Sequence, residues 1–146
     1  MTHTNERDHA AQATARQGAL GERMGIEFLE LLPGFARARM PVEGNTQPVG
    51  LLHGGASVVL AETLGSFAAS LDAHPLVAVG TEVSATHHRA VRAGYVTATC
   101  TPLHVGRSMA TYHIEIVDDG GARTCTARLT CALRPAPAGA AGLFAD

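Results

Sequence analysis

The sequence predicts an α+β domain in which a curved antiparallel sheet of about five or six strands wraps around one long helix. Two patterns favour this fold. Residues 44–71 carry a single formally charged side chain, Glu62, and from Ala56 onward their apolar residues recur at spacings of three and four, which is the period of a buried helix. The segments that follow alternate with the period of strands, so one helix has to cover a whole sheet.

Length and composition limit the class of protein. The chain has 146 residues, of which 46% are hydrophobic, and this fits one globular domain. Its net charge of -2 gives no basic field for nucleic acid. No apolar run reaches about 18 residues without a charge or turn, and the first residues lack an apolar signal core, so we expect no membrane partner and a cytoplasmic location. Three cysteines without CxxC spacing predict reduced thiols: Cys100, Cys125 and Cys131.

A short helix and two strands are predicted before the long helix. The short helix covers Ala19–Met24, and Gly25 ends it. Residues 26–32 and 35–42 form the strands, and the Pro33-Gly34 dipeptide between them turns the chain. We expect the folded domain to occupy residues 19–134.

Three or four strands are predicted after the long helix, which His74-Pro75 prevents from continuing. The β-prone segments are residues 76–88, 95–105, 108–117 and 122–133. On the first of them, alternation places one group of side chains on a common face: Val77, Val79, Val83 and His87. Pro102 marks a bulge or an edge, and Asp118-Asp-Gly-Gly121 is a hairpin turn. A flexible or helical lead is expected over residues 1–18 and a tail over residues 135–146.

The residues His53-Gly54-Gly55 open the long helix. Glycines permit close approach of a ligand, and the free N–H groups of a first helical turn favour negative charge. Such a group suits the oxyanion that develops on a thioester carbonyl. The alternative is that the glycines only form a tight helix start while His53 satisfies a backbone group.

Glu62 and Ser66 lie one turn apart on the same helical face. A carboxylate on an apolar helix, with a hydroxyl one turn later, can act as general base or nucleophile with a positioned water. The alternative is a structural Glu62 that pairs with an arginine from a strand.

Basic residues could hold phosphates through guanidinium and backbone donors. They are Arg89, Arg92 and the Gly106-Arg107-Ser108 turn, and the alternative is that these residues are solvated surface charges.

Alternation puts His87 on the helix-facing side, either as a core residue or as part of a site. A metal site is not expected, because the histidines match no standard ligand pattern: His87, His88, His104 and His113.

Residues 47–62 read Gln-Pro-Val-Gly-Leu-Leu-His-Gly-Gly-Ala-Ser-Val-Val-Leu-Ala-Glu. This segment resembles the signature of the hotdog-fold acyl-CoA thioesterases, in the branch that includes hydroxybenzoyl-CoA, phenylacetate-pathway, dihydroxynaphthoyl-CoA and enterobactin-proofreading thioesterases. The resemblance covers about residues 20–133. Shorter segments also match: Met40-Pro-Val42, His87, Arg92-Ala-Gly94, Pro102-Leu-His104 and Ile114-Glu-Ile116.

The resemblance implies a hotdog fold and hydrolysis of an acyl-CoA, an aromatic one, to the acid and free CoA. It implies that Glu62 is the nucleophile or general base and that Ser66 orients water. It further implies that the Gly54 N–H polarises the thioester carbonyl and that Gln47, beside His53, contacts the acyl carbonyl region.

The resemblance also implies a homodimer that pairs into a tetramer and needs no metal or bound cofactor. Gln47 and His53 would come from one subunit, and Glu62 and Ser66 from the other. The strand histidine of the family corresponds to His87. The nearest members of the family read Asn-His-Val where this chain reads Thr86-His87-His88. Either His87 or His88 could therefore reach the site.

Two other functions stay open. A hotdog hydratase or dehydratase also uses a histidine and an acid, although the His-Gly-Gly segment argues against it. A hotdog protein that only binds acyl-CoA would not need Glu62 and Ser66. The sequence leaves the acyl group undetermined, and the thiol carrier is either CoA or an acyl-carrier protein.

Overall fold

A computed structural model describes residues 8–138 and Phe144. In this part of the chain there are three helices, α1 (Ala10–Arg16), α2 (Ala19–Met24) and α3 (Gly54–Asp72). The strands are β1 (Glu27–Leu32), β2 (Phe35–Pro41), β3 (Leu76–His87), β4 (Tyr95–Val105), β5 (Met109–Asp118) and β6 (Arg123–Pro135). They form one six-stranded sheet in the order β1-β2-β4-β5-β6-β3, and every neighbouring pair is antiparallel. The predicted α+β arrangement is confirmed.

The helix α3 packs against the inner face of the sheet and contacts all six strands. Leu60 and Leu64 of α3 are fully buried against inward side chains such as Ile114 and Leu129. Burial of each such side chain contributes roughly 1.5–3 kcal/mol to folding. By length and apolarity alone α3 could cross a bilayer, but its packing identifies it as the core helix of this domain.

Asp72 fixes the C-terminal end of α3. Its carboxylate accepts hydrogen bonds from the Tyr112 hydroxyl of β5 and from the Gly34 N–H in the β1–β2 turn. Burial, together with this bond to Asp72, raises the pKa of Tyr112. These two bonds tie the C-terminal end of α3 to β5 and to the β1–β2 turn.

Several local predictions are confirmed. Gly25 ends α2 with a φ of 73°, a left-handed conformation that favours glycine. The ladder between β4 and β5 is irregular between Pro102 and His104, as expected of a bulge. The predicted strand segments 108–117 and 122–133 alternate as expected, and their inner faces consist of buried residues: Ala110, Tyr112, Ile114, Ile116, Cys125, Ala127, Leu129, Cys131 and Leu133.

The structure contradicts the predicted face of β3 that groups Val77, Val79, Val83 and His87. A β-bulge between Gly80 and Glu82 inserts one extra residue, Thr81. Upstream of the bulge Val79 points away from the helix and is 52% exposed, whereas Val83 downstream packs against the core. A bulge shifts the alternation by one residue, so the strict period of two is wrong for half of the strand.

The strand β3 lies at one edge of the sheet. In the described part of the chain it pairs with β6 alone, along its whole length from Leu76 to His87. Its inward side chains Ala78, Val83 and Ala85 are only partly buried. A long strand with unpaired backbone groups and a half-covered apolar face can pair with another chain.

The predicted lead and tail fall partly outside the described residues. Within them, residues 10–16 form α1, which packs against β1 and buries Ala13 completely. At the other end β6 continues to Pro135.

Candidate active site

The start of α3 combines both interpretations of the His53-Gly54-Gly55 segment. The His53 ring caps the helix, because its Nδ1 accepts a hydrogen bond from the Gly55 N–H at 2.8 Å. The N–H groups of Ala56 and Ser57 both donate to the His53 carbonyl. Among the hydrogen bonds of the described residues none uses the Gly54 N–H, so this donor at the positive end of the helix is free to meet a ligand.

The Gly54 N–H lies at a cleft of about 360 Å³, here named the helix-start cleft. Its lining includes Gln47, Leu52, Gly54, Ser57, His87, His88, Arg89 and Val91. The Gln47 side-chain oxygen accepts hydrogen bonds from the Val49 and Leu51 N–H groups at 2.6 and 3.4 Å. This assigns the oxygen to the loop and leaves the two amide N–H donors of Gln47 available for a substrate carbonyl.

The two adjacent histidines have different surroundings. His87 lies beside the helix start, since a Cβ placed on Gly54 would stand 2.8 Å from its Nε2 atom. His88 instead bonds through Nε2 to the Thr126 hydroxyl at 2.9 Å. Both border the helix-start cleft, but His87 is the one that packs against Gly54.

Glu62 and Ser66 border a different space of about 400 Å³, here named the carboxylate cavity. Its lining consists of Gln17, Leu20, Val59, Glu62, Thr63, Ser66 and Phe67. Glu62 is half-buried. Over residues 8–138, its carboxylate has neither an ion pair nor a hydrogen bond. The alternative in which an arginine pairs with Glu62 is therefore not realised.

One chain keeps the two halves of the predicted site apart. Glu62 follows Gly54 by eight residues, which is about 12 Å along a helix axis. The two residues line separate cavities. A single thioester carbon cannot contact the Gly54 N–H and the Glu62 carboxylate of the same chain over that distance.

Sequence reasoning missed five residues that line the carboxylate cavity with Glu62 and Ser66: Gln17, Leu20, Val59, Thr63 and Phe67. Helical spacing from Glu62 indicates Val59, which lies one turn before it. No spacing indicates Gln17 and Leu20, because they reach the cavity from the region of α2.

The predicted phosphate ligands are spread over both ends of the sheet. Arg89 lies just after β3, at the helix-start cleft. The Gly106–Ser108 turn joins β4 to β5. The next residue, Met109, pairs with Ala132 of β6, and Ala132 pairs with Val79 near the start of β3, so the turn lies at that end of the sheet. The length of strand between these two levels is about 25 Å, so one chain does not bring Arg89 and this turn together.

The cysteines and the candidate metal ligands are also placed. The three cysteines are buried and form no disulfide with one another. Within residues 8–138 and Phe144, no group of three or more His, Cys, Asp or Glu side chains is arranged to hold a metal ion.

The sheet wrapped around α3 is the hotdog fold, and with the comparisons below it defines the chain as a thioester hydrolase. Residues 49–125 match the model of the family described as the thioesterase superfamily. The chain belongs to this superfamily.

Similar proteins support this assignment. The chain is 51% identical to the proofreading thioesterase EntH of Cronobacter turicensis over 118 residues, which cover 80% of this chain and 86% of that protein. A crystal structure of a mutant of the Pseudomonas aeruginosa thioesterase PA1618 matches with a TM-score of 0.83 at 42% identity, covering 87% of this chain and 94% of the other. The E. coli PaaI protein from the phenylacetic acid degradation operon matches with a TM-score of 0.77 at 27% identity, covering 88% and 92%.

Proposed function

We propose that this thioesterase hydrolyses an aromatic acyl-CoA to the acid and free CoA, at a site that two chains complete. The observation that carries the proposal is that two groups suited to acyl transfer make no hydrogen bond or ion pair among the described residues. The Glu62 carboxylate in one cavity and the Gly54 N–H in another have no partner among the described residues. Acyl transfer needs a donor for the oxyanion, which the Gly54 N–H can be, and a base or nucleophile, which Glu62 can be.

The chemistry follows from the two groups. The thioester carbonyl oxygen accepts a hydrogen bond from the Gly54 N–H, which stabilises the oxyanion as the carbonyl carbon is attacked. Glu62 either attacks that carbon, giving an anhydride that water then cleaves, or removes a proton from the attacking water. In both routes the carbon–sulfur bond breaks, the acid is released, and CoA departs as a thiolate that takes up a proton.

The open edge of β3 supports the two-chain site. A second copy related by a two-fold axis can pair its β3 antiparallel to the first. The His87 end of one strand then lies beside the Leu76 end of the other, and Glu62 sits against that first half of β3, at Gly80. The same pairing brings the Gly106–Ser108 turn of one chain toward Arg89 of its partner. We propose that such dimers pair further into a tetramer.

The lining of the carboxylate cavity supports an aromatic acyl group. Leu20, Val59 and Phe67 supply apolar surface, and Thr63 and Gln17 add polar atoms at its border. An aromatic ring gains from edge-to-face contact with a second ring such as Phe67. Of the similar proteins, PaaI comes from a phenylacetic acid degradation operon, and phenylacetic acid is an aromatic acid.

A panel of CoA thioesters assayed for thiol release tests the proposal. We expect kcat/KM for benzoyl-CoA, hydroxybenzoyl-CoA and phenylacetyl-CoA to exceed that for acetyl-CoA and hexanoyl-CoA by about tenfold or more, since apolar pocket contacts differ by about 1–3 kcal/mol between such substrates. A preference for straight chains would contradict the aromatic assignment. Hydration of crotonyl-CoA without thiol release would support the hydratase alternative, and tight binding of every thioester without turnover would support the binding protein.

Removal of a guanidinium at the proposed nucleotide site should affect substrate binding more than turnover. We expect Arg89→Ala and Arg107→Ala each to raise KM for the acyl-CoA severalfold with little change in kcat, because a phosphate contact is the same in ground and transition states. The N-acetylcysteamine thioester of the same acyl group lacks the nucleotide and should show no such change. Arg37→Ala is the matched control, since its guanidinium pairs with Glu30. An unchanged KM for acyl-CoA in both variants would identify Arg89 and Arg107 as a solvated rim.

A further inference from the structure

The carboxylate of Glu62 rests directly on the backbone of β3. A Cβ atom placed on Gly80 would lie 2.7 Å from Glu62 Oε1 and 3.6 Å from its carboxyl carbon. Real Cβ atoms essentially never approach another heavy atom below 3.0 Å. Any side chain at position 80 would therefore occupy the place where the carboxylate now lies.

The backbone does not itself require a glycine at this position. Gly80 is not among the glycines of the described chain with a positive φ, so alanine fits its conformation. The remaining neighbour of the added Cβ is Leu129 Cδ1 at 3.7 Å, an ordinary van der Waals contact. The one group that a side chain at position 80 would displace is the end of the Glu62 side chain.

The next turn of the helix, which carries Ser66, faces the neighbouring strand β6. Gly80 pairs across the ladder with Cys131 of β6, which is fully buried. Burial raises the pKa of the Cys131 thiol to about 11, and the nearby Ser66 hydroxyl opposes that rise. One helical turn rises about 5.4 Å, which is close to the spacing of about 4.8 Å between neighbouring strands. Glu62 therefore faces Gly80 of β3, and Ser66 faces Cys131, the cross-strand partner of Gly80 on β6.

We propose that Gly80 is a positioning residue for the reaction: by lacking a side chain at the β3 bulge, it leaves room for the Glu62 carboxylate in its reactive position. The inference rests on the proposed catalytic role of Glu62. The bulge contributes because it sets the Gly80 position on the helix-facing side, opposite Cys131.

The test is the Gly80→Ala variant. We expect kcat to fall by about tenfold or more with KM within about twofold, since a displacement of about 1 Å in a reacting group can cost a hundredfold in rate. The melting temperature and the oligomeric state, measured by native mass spectrometry, should match the wild type, because the group displaced is the flexible end of a side chain. The matched control is Gly120→Ala in the β5–β6 turn, where the added Cβ would meet only Asp118 Oδ1 at 3.4 Å, and kcat should be unchanged.

A shorter acid at position 62 separates positioning from any structural effect. In Glu62→Asp the carboxylate withdraws from Gly80 by one carbon–carbon bond, so adding Gly80→Ala to that variant should change kcat by less than about threefold. A full loss in both backgrounds would mean that alanine acts through the fold or the assembly, and would overturn the inference. Wild-type kcat in Gly80→Ala would also overturn it.

The failure of this inference differs from the failure of the proposed function. If Glu62→Gln stays active, the catalytic role of Glu62 is wrong. If Glu62→Gln is inactive while Gly80→Ala turns over normally, Glu62 keeps its role and only the positioning by Gly80 is wrong.

Discussion

Substitution of Glu62 by glutamine should lower kcat by about a hundredfold or more, which is the scale of a lost general base or nucleophile. Glutamine keeps the size of the side chain and its contact with Gly80 but removes the negative charge. The fold should remain stable, because the described structure shows no ion pair or hydrogen bond that the carboxylate would leave unpaired. Thiol release from the preferred acyl-CoA measures kcat, and thermal unfolding measures stability.

The matched control for this substitution is Glu82→Gln. Glu82 is also on β3, but it lies at the outer face, exposed and 3.8 Å from Arg128. An exposed ion pair of this kind contributes little, so turnover should match the wild type. Near-normal kcat in Glu62→Gln would remove Glu62 from the mechanism and leave the acyl transfer without a base.

The elements with strong periodicity were predictable from the sequence. The helix α3 and the inner faces of β5 and β6 follow from the spacing of their apolar residues, because burial on one face is what creates that spacing. The face of β3 was not predictable, since the bulge at Gly80 depends on how β3 pairs with β6. Nothing in the local alternation of Val77 and Val79 signals a shift that the neighbouring strand imposes.

The candidate site was predictable to a similar degree. Glu62 and His53 are isolated polar groups in an apolar stretch, and such groups need a functional or structural reason. The contact between Glu62 and Gly80 joins residues 18 positions apart through a bulge, so no spacing rule indicates it. The approach of Leu20 to the carboxylate cavity likewise follows from tertiary packing alone.

Mixing two inactive variants should restore activity if two chains build each site. Gln47→Ala damages the helix-start cleft and Glu62→Ala the carboxylate cavity. About half of randomly paired dimers are mixed, and each mixed dimer has one intact site and one doubly damaged site. After subunit exchange in mild denaturant and renaturation, thiol release should reach up to about a quarter of the wild-type value.

The control mixture combines Glu62→Ala with Ser66→Ala. Both residues border the carboxylate cavity, so in a mixed dimer every site lacks one of them and activity should not exceed the mean of the two parents. This comparison separates true complementation from stabilisation by mixing. Each variant must first be clearly impaired alone, and native mass spectrometry must show mixed dimers. If mixed dimers of Gln47→Ala and Glu62→Ala form without recovered thiol release, the two-chain site is wrong, and the Gly54 N–H and the Glu62 carboxylate, about 12 Å apart along one helix, do not act on the same thioester.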